Sequence, residues 1–472
     1  MKYNKLKPIY KSIINLKAFF LKKGYVLAIM LMVLLSCSDF IEVDPPKNIL
    51  VSETVFDDSA TVESALASVY YNLREYGIVG YGLSADMGIY ADELDYYASN
   101  SHDLSVYLHS MTPINSKVAN YWKNAYKLIY AVNDIIKGVD DSKALGADEK
   151  ATFKGQALFM RAYLHFVLAN IYGDVPLVTT TDYQTNNTIG RTAANEVYDA
   201  IIADLTLAVS LLDSSDPTGE RVIPNKAAGN ALLARVYLYT ENWEMAEATA
   251  SLLIDGFELE TDLSKVFLKE STETIWQFKS DPADTRNTHE ANQFIIQAIP
   301  GNRYSLSNAL LNSFEEGDLR YDDWIGSFTS ADGLTTLYFP YKYKALLSEV
   351  ESLEYTIVFR LAEQYLIRAE ARAQQGDMAG AQEDLNRIRS RAGLDDTPAT
   401  SKASLLDAIL HERFVELFTE QGHRWFDLKR SGKAGEILGS VKPNWKSTDV
   451  FWPIPESELE INPNLLPQNK GY

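Results

Sequence analysis

The sequence predicts a mainly α-helical protein: a tetratricopeptide-like scaffold of about four helix pairs, interrupted by a large, irregular, loop-rich region. Three observations predict it. The first is the stretch RLAEQYLIRAEARAQQGDMAGAQEDLNRIRSRAGL, residues 360–394. Leu361, Ala362, Tyr365, Leu366, Ala369 and Ala373 recur on one helical face. After Gly376, Asp377 is placed to cap a second helix carrying Met378, Ala381, Leu385 and Ile388, and Gly393 ends it. The second is a matching hairpin at 226–239 and 243–254, joined by Thr240-Glu241-Asn242. Its small residues Ala227, Ala231, Ala234, Ala246 and Ala250 permit close helix contact. The third is the absence of any sustained period over 257–354.

In chain order, residues 1–36 read as a secreted leader. Seven lysines precede the apolar run Tyr25 to Leu35, which has signal-peptide length and is too short to span a bilayer. The run ends in Leu34-Leu35-Ser36-Cys37, which resembles a bacterial lipobox. Cys37 is then the acylated first residue of the mature protein, and several acyl chains anchor stably where one does not. An ordinary signal peptide followed by a chance cysteine is the alternative. Residues 37–52, with Pro45-Pro46 and three acids, read as an extended, lipidated tether, and 53–472 as the folded domain.

Residues 61–76 predict a first helix through Val62, Leu66, Val69, Tyr70 and Leu73. Gly77, Gly80, Gly82 and Gly88 predict a loop. Their spacing does not match the dinucleotide-binding glycine pattern. The stretch 86–111 is aromatic, polar and aperiodic. Helices follow at 121–138, 154–173 and 196–212, and a strand at 273–279. The scaffold thus falls mainly in 121–254 and 359–430, the irregular segments in 77–115 and 257–354. In the last block Glu416, Glu420, Arg424, Asp427 and Arg430 stand three or four residues apart, so opposite charges meet along a helix, and they predict a structural ion-pair network tying the last helix to its neighbours.

Charge and chemistry exclude several function classes. The net charge is −20; without the leader it is 37 basic against 64 acidic residues, or −27. So acidic a chain is unsuited to nucleic acid or polyanions. Cys37 is the only cysteine, so no internal disulfide or cysteine metal cluster can form. The six histidines make no zinc motif, no nucleophile elbow or phosphate-binding loop occurs, and no cofactor is implied.

Several stretches, in order, closely resemble the SusD/RagB family of outer-membrane nutrient-binding lipoproteins. They are QALFMRAYLHFVLANIYGDVPLV, NKAAGNALLARVYLYTENWEMAEATA, RLAEQYLIRAEA, LNRIRSRAGL, ERFVELFTEQGHRWFDLKR and the tail PIPESELEINPNLLPQNKGY. The resemblance implies a lipid-anchored, surface-facing protein that captures an oligosaccharide or similar nutrient. It also implies delivery, without catalysis, to a SusC-like TonB-dependent transporter. A surface glycoside hydrolase and a helical-repeat scaffold for protein partners are the alternatives.

The candidate ligand residues are chosen by exclusion. Regular helices place their aromatics against each other, so only 86–111 and 280–345 leave such side chains free to converge. Tyr96 and Tyr97, with Asn100, are expected to offer ring faces and hydrogen bonds to a sugar. Arg286 and His289 are the expected donors from the middle loop. One ring of the Tyr96–Tyr97 pair could instead face the core. Asp92, Glu93 and Asp95 beside them would make a glycosidase acid/base pair only at a suitable separation.

Overall fold

The structure, a computed structural model, describes residues 55–280 and 286–472. Cys37, the leader 1–36 and the tether 37–52 lie outside the described residues. The described chain is mainly helical. It opens with α1 (Ser59–Glu75), α2 (Tyr81–Tyr90), strand β1 (Leu94–Tyr96) and α3 (Ser101–Tyr107). Then α4 (Ser116–Asp141), α5 (Ala147–Tyr172), α6 (Ala194–Leu211), α7 (Lys226–Tyr239) and α8 (Trp243–Ile254) pack in series, each on the next. The hairpin ends at Tyr239 and Trp243 fall where the periodicity predicts. Helix α5 starts earlier than its apolar pattern shows. Its first turn is polar, and Glu149 reaches back to accept the Gly146 N–H at 2.8 Å.

The glycine-rich stretch expected to be a loop forms α2 instead. Every residue from Leu83 to Tyr90 is buried. A helix buried on all sides carries no amphipathic period, so the pattern could not reveal it. Glycine is required at its entrance: Gly80 has φ +69°, and a Cβ on Gly82 would meet the Cα of Gly77 at 2.7 Å.

The middle region is a layered insertion. Strand β2 (Thr274–Phe278) leads into it, and α9 (Glu290–Phe294), β3 (Tyr304–Leu306), β4 (Ile325–Thr329) and β5 (Thr336–Pro340) lie within it. Strand β6 (Thr356–Arg360) leads out, directly into α10 (Leu361–Gln375). β2 and β6 pair antiparallel, so the two ends of the insertion are joined at its root. β4 and β5 form a hairpin. Helix α8 packs on α10 across the excursion, and α11 (Met378–Arg391), α12 (Lys402–Leu417) and α13 (His423–Arg430) complete the scaffold. Shorter helical turns connect these elements.

The charges of the last block do tie the last helix to its neighbours, but they do not meet along a single helix. Thr419 and Gln421 at positive φ, followed by Gly422, break the chain between α12 and α13. Their partners come from distant elements. Glu416 accepts from Arg320, Arg360 and Arg391; Glu420 pairs with Arg360 and Lys342; Arg424 forks onto Asp92; Arg413 pairs with Asp427. Only Arg430–Asp427 is a pair within the helix. All these carboxylates are buried.

Candidate functional site

β1 and β3 form a short antiparallel ribbon with Leu94 opposite Leu306, Asp95 opposite Ser305 and Tyr96 opposite Tyr304. The pairing continues one step, as the Tyr97 N–H donates to the Arg303 carbonyl at 2.8 Å. Because side chains alternate along a strand, Tyr96 and Tyr97 leave on opposite faces. Tyr96 is 7% exposed, against 52% for Tyr97. The Tyr96 ring packs 5.7 Å from Tyr304, and its hydroxyl donates to Asp103 at 3.3 Å. Tyr97 presents its ring to solvent, with its hydroxyl accepting from Ser305 Oγ at 3.4 Å. The pair therefore divides: Tyr96 supports the ribbon, and Tyr97 is left with an exposed ring.

Asn100 sits at the N-terminus of α3. Its side-chain oxygen accepts from the His102 and Asp103 N–H groups at 2.9 and 3.2 Å, so that oxygen is committed to capping. Arg286 is exposed and donates to the Val350 carbonyl, tying one part of the insertion to another. His289 begins α9, half-buried, its ring 5.0 Å from that of Tyr81. The last turn of α9 then reaches the ribbon. Gln293 Nε2 donates to the Tyr304 hydroxyl at 3.3 Å, and Phe294 packs 6.0 Å from the Tyr304 ring. The structure thus gathers Tyr96, Tyr97 and Asn100 at one end of the ribbon. His289 belongs to the helix that abuts it, and Arg286 is engaged elsewhere.

Next to Tyr304 a cavity of about 420 Å³ opens between α9 and the β3 approach, lined by Asn292, Gln293, Gln297, Asn302 and Arg303 among others. The Asn302 amide nitrogen is buried there without a hydrogen-bond partner. Arg303 is exposed, and its carbonyl is the group that holds Tyr97. Gln293 and Asn302 escaped sequence reasoning. Their role depends on β3, a strand of three residues paired with one about two hundred positions away. No local pattern marks such a strand.

The carboxylates near Tyr96 are placed against acid/base work. Asp92 is buried and held by Arg424 through two bonds of 2.7 Å. Glu93 is 1% exposed; burial pushes its carboxyl up to about 8, opposed by the Thr419 N–H it accepts at 3.0 Å. Asp95 accepts from the Tyr107 hydroxyl at 3.0 Å. Among the described residues, no three His, Cys, Asp or Glu side chains converge to hold a metal ion.

Comparison with known proteins gives a consistent family. Residues 39–238 match the SusD-like family described as starch-binding and associating with the outer membrane, and residues 329–472 match the SusD family. SusD-like protein P2 of Formosa agariphila is 27% identical, covering 94% of this chain and 98% of its own. The starch-binding protein SusD of Bacteroides thetaiotaomicron is 34% identical over 24% of this chain and 21% of its own. Among solved structures, a SusD superfamily protein of Bacteroides vulgatus superposes with a TM-score of 0.78 at 21% identity, covering 88% of this chain and all of that one. A laminarin-binding SusD-like protein superposes with a TM-score of 0.73 at 24% identity, covering 88% of this chain and 99% of that one. These likenesses extend to the fold. Most of the insertion lies between the two family matches.

Proposed function

Because the chain belongs to the SusD/RagB family, we propose that it captures a glycan at the outer-membrane surface and passes it to a SusC-like TonB-dependent transporter, with no bond broken. Cys37, acylated, is the anchor. The observation that carries the reading is the exposed Tyr97 ring, held on a paired ribbon whose other strand leads in from a polar cavity. A pyranose stacks its CH face on an aromatic ring while its hydroxyls seek fixed donors and acceptors. Gln293, Asn302 and Arg303 supply them at the cavity wall, and Tyr97 supplies the face. One stacked ring and a few hydrogen bonds, each netting roughly 0.5–1.5 kcal/mol, give micromolar to millimolar affinity. Weak capture suffices when a transporter stands alongside. The ligands named for two relatives, starch and laminarin, favour a neutral glucan, which also suits a chain of net charge −20.

The glycosidase alternative needs two carboxylates facing a substrate. Asp92 and Glu93 are instead buried and engaged by Arg424 and Thr419. A glycan array probed with the protein from Ser38 onward, followed by calorimetry and product analysis on the best ligand, tests the proposal. Saturable glycan binding without new reducing ends is expected. Accumulating product, or binding to peptides alone, would overturn it.

A further inference from the structure

The outer face of the β1–β3 ribbon carries more than the Tyr97 ring. Side chains alternate along a strand, and directly opposed residues share a face. Asp95, Tyr97, Ser305 and Arg303 therefore leave the ribbon on one side. Burial agrees: Leu94 and Tyr96 are buried, Asp95 is half-buried and Tyr97 is exposed. Ser305 stands opposite Asp95, and its Oγ donates to the Tyr97 hydroxyl at 3.4 Å. The Tyr97 ring thus leans along the ribbon toward the row that Asp95 and Ser305 form.

Asp95 is the carboxylate of this stretch that the fold leaves open. Asp92 is held by Arg424, and Glu93 is buried against the Thr419 N–H. Asp95 accepts only the Tyr107 hydroxyl, at 3.0 Å, and among the described residues it forms no ion pair. Tyr107 stays a donor, because burial, with Asp95 beside it, pushes its hydroxyl up to about 12. The second Asp95 oxygen is neither bonded nor sealed from solvent. A carboxylate accepts about four hydrogens through its two oxygens, so Tyr107 leaves about three places.

Two residues along a strand advance about 6.8 Å. A sugar stacked on a ring that leans back toward Asp95 therefore sets one edge against this carboxylate. Hydroxyls on adjacent carbons of that edge can both donate to it, in charge-assisted bonds about twice as strong as neutral ones. Arg303, exposed and without an ion pair among the described residues, is a donor for the opposite edge. We infer that Asp95 is the specificity-determining residue of the ribbon site, accepting both hydroxyls of a vicinal diol on the pyranose that covers Tyr97. The inference rests on the glycan-capture reading above. It narrows the ligand by linkage. An internal glucose unit joined through O4 keeps its O2 and O3 hydroxyls free as a pair; one joined through O3 keeps no such pair. The site takes an O4-linked glucan over an O3-linked one.

The test titrates the full-length protein, purified in detergent, with maltohexaose, cellohexaose and laminarihexaose in a calorimeter. The first two are O4-linked; laminarihexaose is O3-linked and keeps a vicinal pair only at its non-reducing end. At least one O4-linked hexaose should bind about tenfold more tightly than laminarihexaose. Asp95→Asn keeps the shape of the side chain, and Asp95→Ala removes the acceptor altogether. Both should melt close to wild type, since Asp95 ties down one half-buried hydroxyl. Both should weaken the O4-linked hexaose about tenfold and bring the two linkages to within about twofold of each other. A merely structural Asp95 would lower the melting temperature and leave the ratio between linkages unchanged. That result would overturn the inference, as would laminarihexaose bound as tightly as both O4-linked sugars, or binding of none of the three. If Tyr97→Ala loses binding while the Asp95 variants keep the linkage preference, the platform stands and this inference falls. If Tyr97→Ala binds like the wild type, the ribbon reading itself falls.

Discussion

Truncating Tyr97 to alanine isolates the proposed stacking platform. The side chain is 52% exposed, and apart from the 3.4 Å contact with Ser305 it carries no packing that the fold needs. A sugar covering one ring face removes about 60 Å² of apolar surface from water. At about 25 cal/mol per Å² this is about 1.5 kcal/mol, or roughly tenfold in affinity. Melting should stay within about 0.5 kcal/mol of wild type, as for other surface substitutions. Tyr96→Ala should behave oppositely. Tyr96 is 7% exposed and packs on Tyr304, so truncation should lower stability by about 3–5 kcal/mol. Tyr96→Phe removes only the 3.3 Å bond to Asp103, and should leave both stability and binding nearly intact. The assay is calorimetry with the glycan identified on the array, paired with thermal melts of each variant. Wild-type affinity in Tyr97→Ala would refute the platform argument. So would abolished binding in a well-folded Tyr96→Phe.

Cys37→Ala should release the protein from the membrane or block its maturation; a normally processed, membrane-bound variant would refute the lipid anchor. Arg424→Ala strips Asp92 of both its 2.7 Å bonds and removes a guanidinium stacked 3.7 Å from the Phe414 ring, so stability should fall by about 3–5 kcal/mol. Glycan affinity of the folded fraction should not change; wild-type melting with lost binding would move Arg424 into the site. Glu93 titrates near 4.5 when unfolded, and burial raises it to about 8 in the fold. Its raised folded value means its contribution is fully present below the unfolded value and is lost as pH rises toward 8. Glu93→Gln should therefore gain on the wild type in melting temperature between pH 5 and about 8, and a constant difference across that range would refute the assignment.

How much of this was legible depends on what each element leaves on the chain. Helices α8 and α11 expose one face and bury the other, so their period was readable, while α7 and the first half of α10, buried almost all round, were readable through their small residues and the turns that end them. Helix α2 was not, because it is buried all round. The candidate site was half legible. An irregular aromatic stretch pointed to Tyr96 and Tyr97, but which ring faces out is decided by the pairing of Tyr96 with Tyr304. Gln293 and Asn302 carry no composition signal at all. The charged residues of 416–430 are legible as a structural network tying the last helix to its neighbours, but spacing does not say which neighbours. The positive-φ turn at Thr419–Gly422 redirects them to Asp92, Arg320, Arg360 and Lys342.

That redirection ties the insertion to the scaffold. Arg320 and Lys342 belong to the insertion, Glu273 and Arg360 flank its root, and Glu412, Glu416 and Glu420 come from the scaffold's end. The Lys342 amino group also donates to the Glu416 and Phe418 carbonyls at 2.8 and 2.9 Å, beneath the Phe418 ring. Burying so many charges carries a large desolvation penalty, and apolar residues of equal volume would serve stability as well or better. What ion pairs add is direction. Each guanidinium fork donates to its carboxylates in one geometry, so the insertion is set on the scaffold in one orientation. The ribbon carrying Tyr97 is further tied to the scaffold through Glu93 and Thr419, next to Asp92 and Arg424. The proposed platform, stacking a weakly held sugar, would gain most from such rigidity, since little binding energy would remain to order a loose loop.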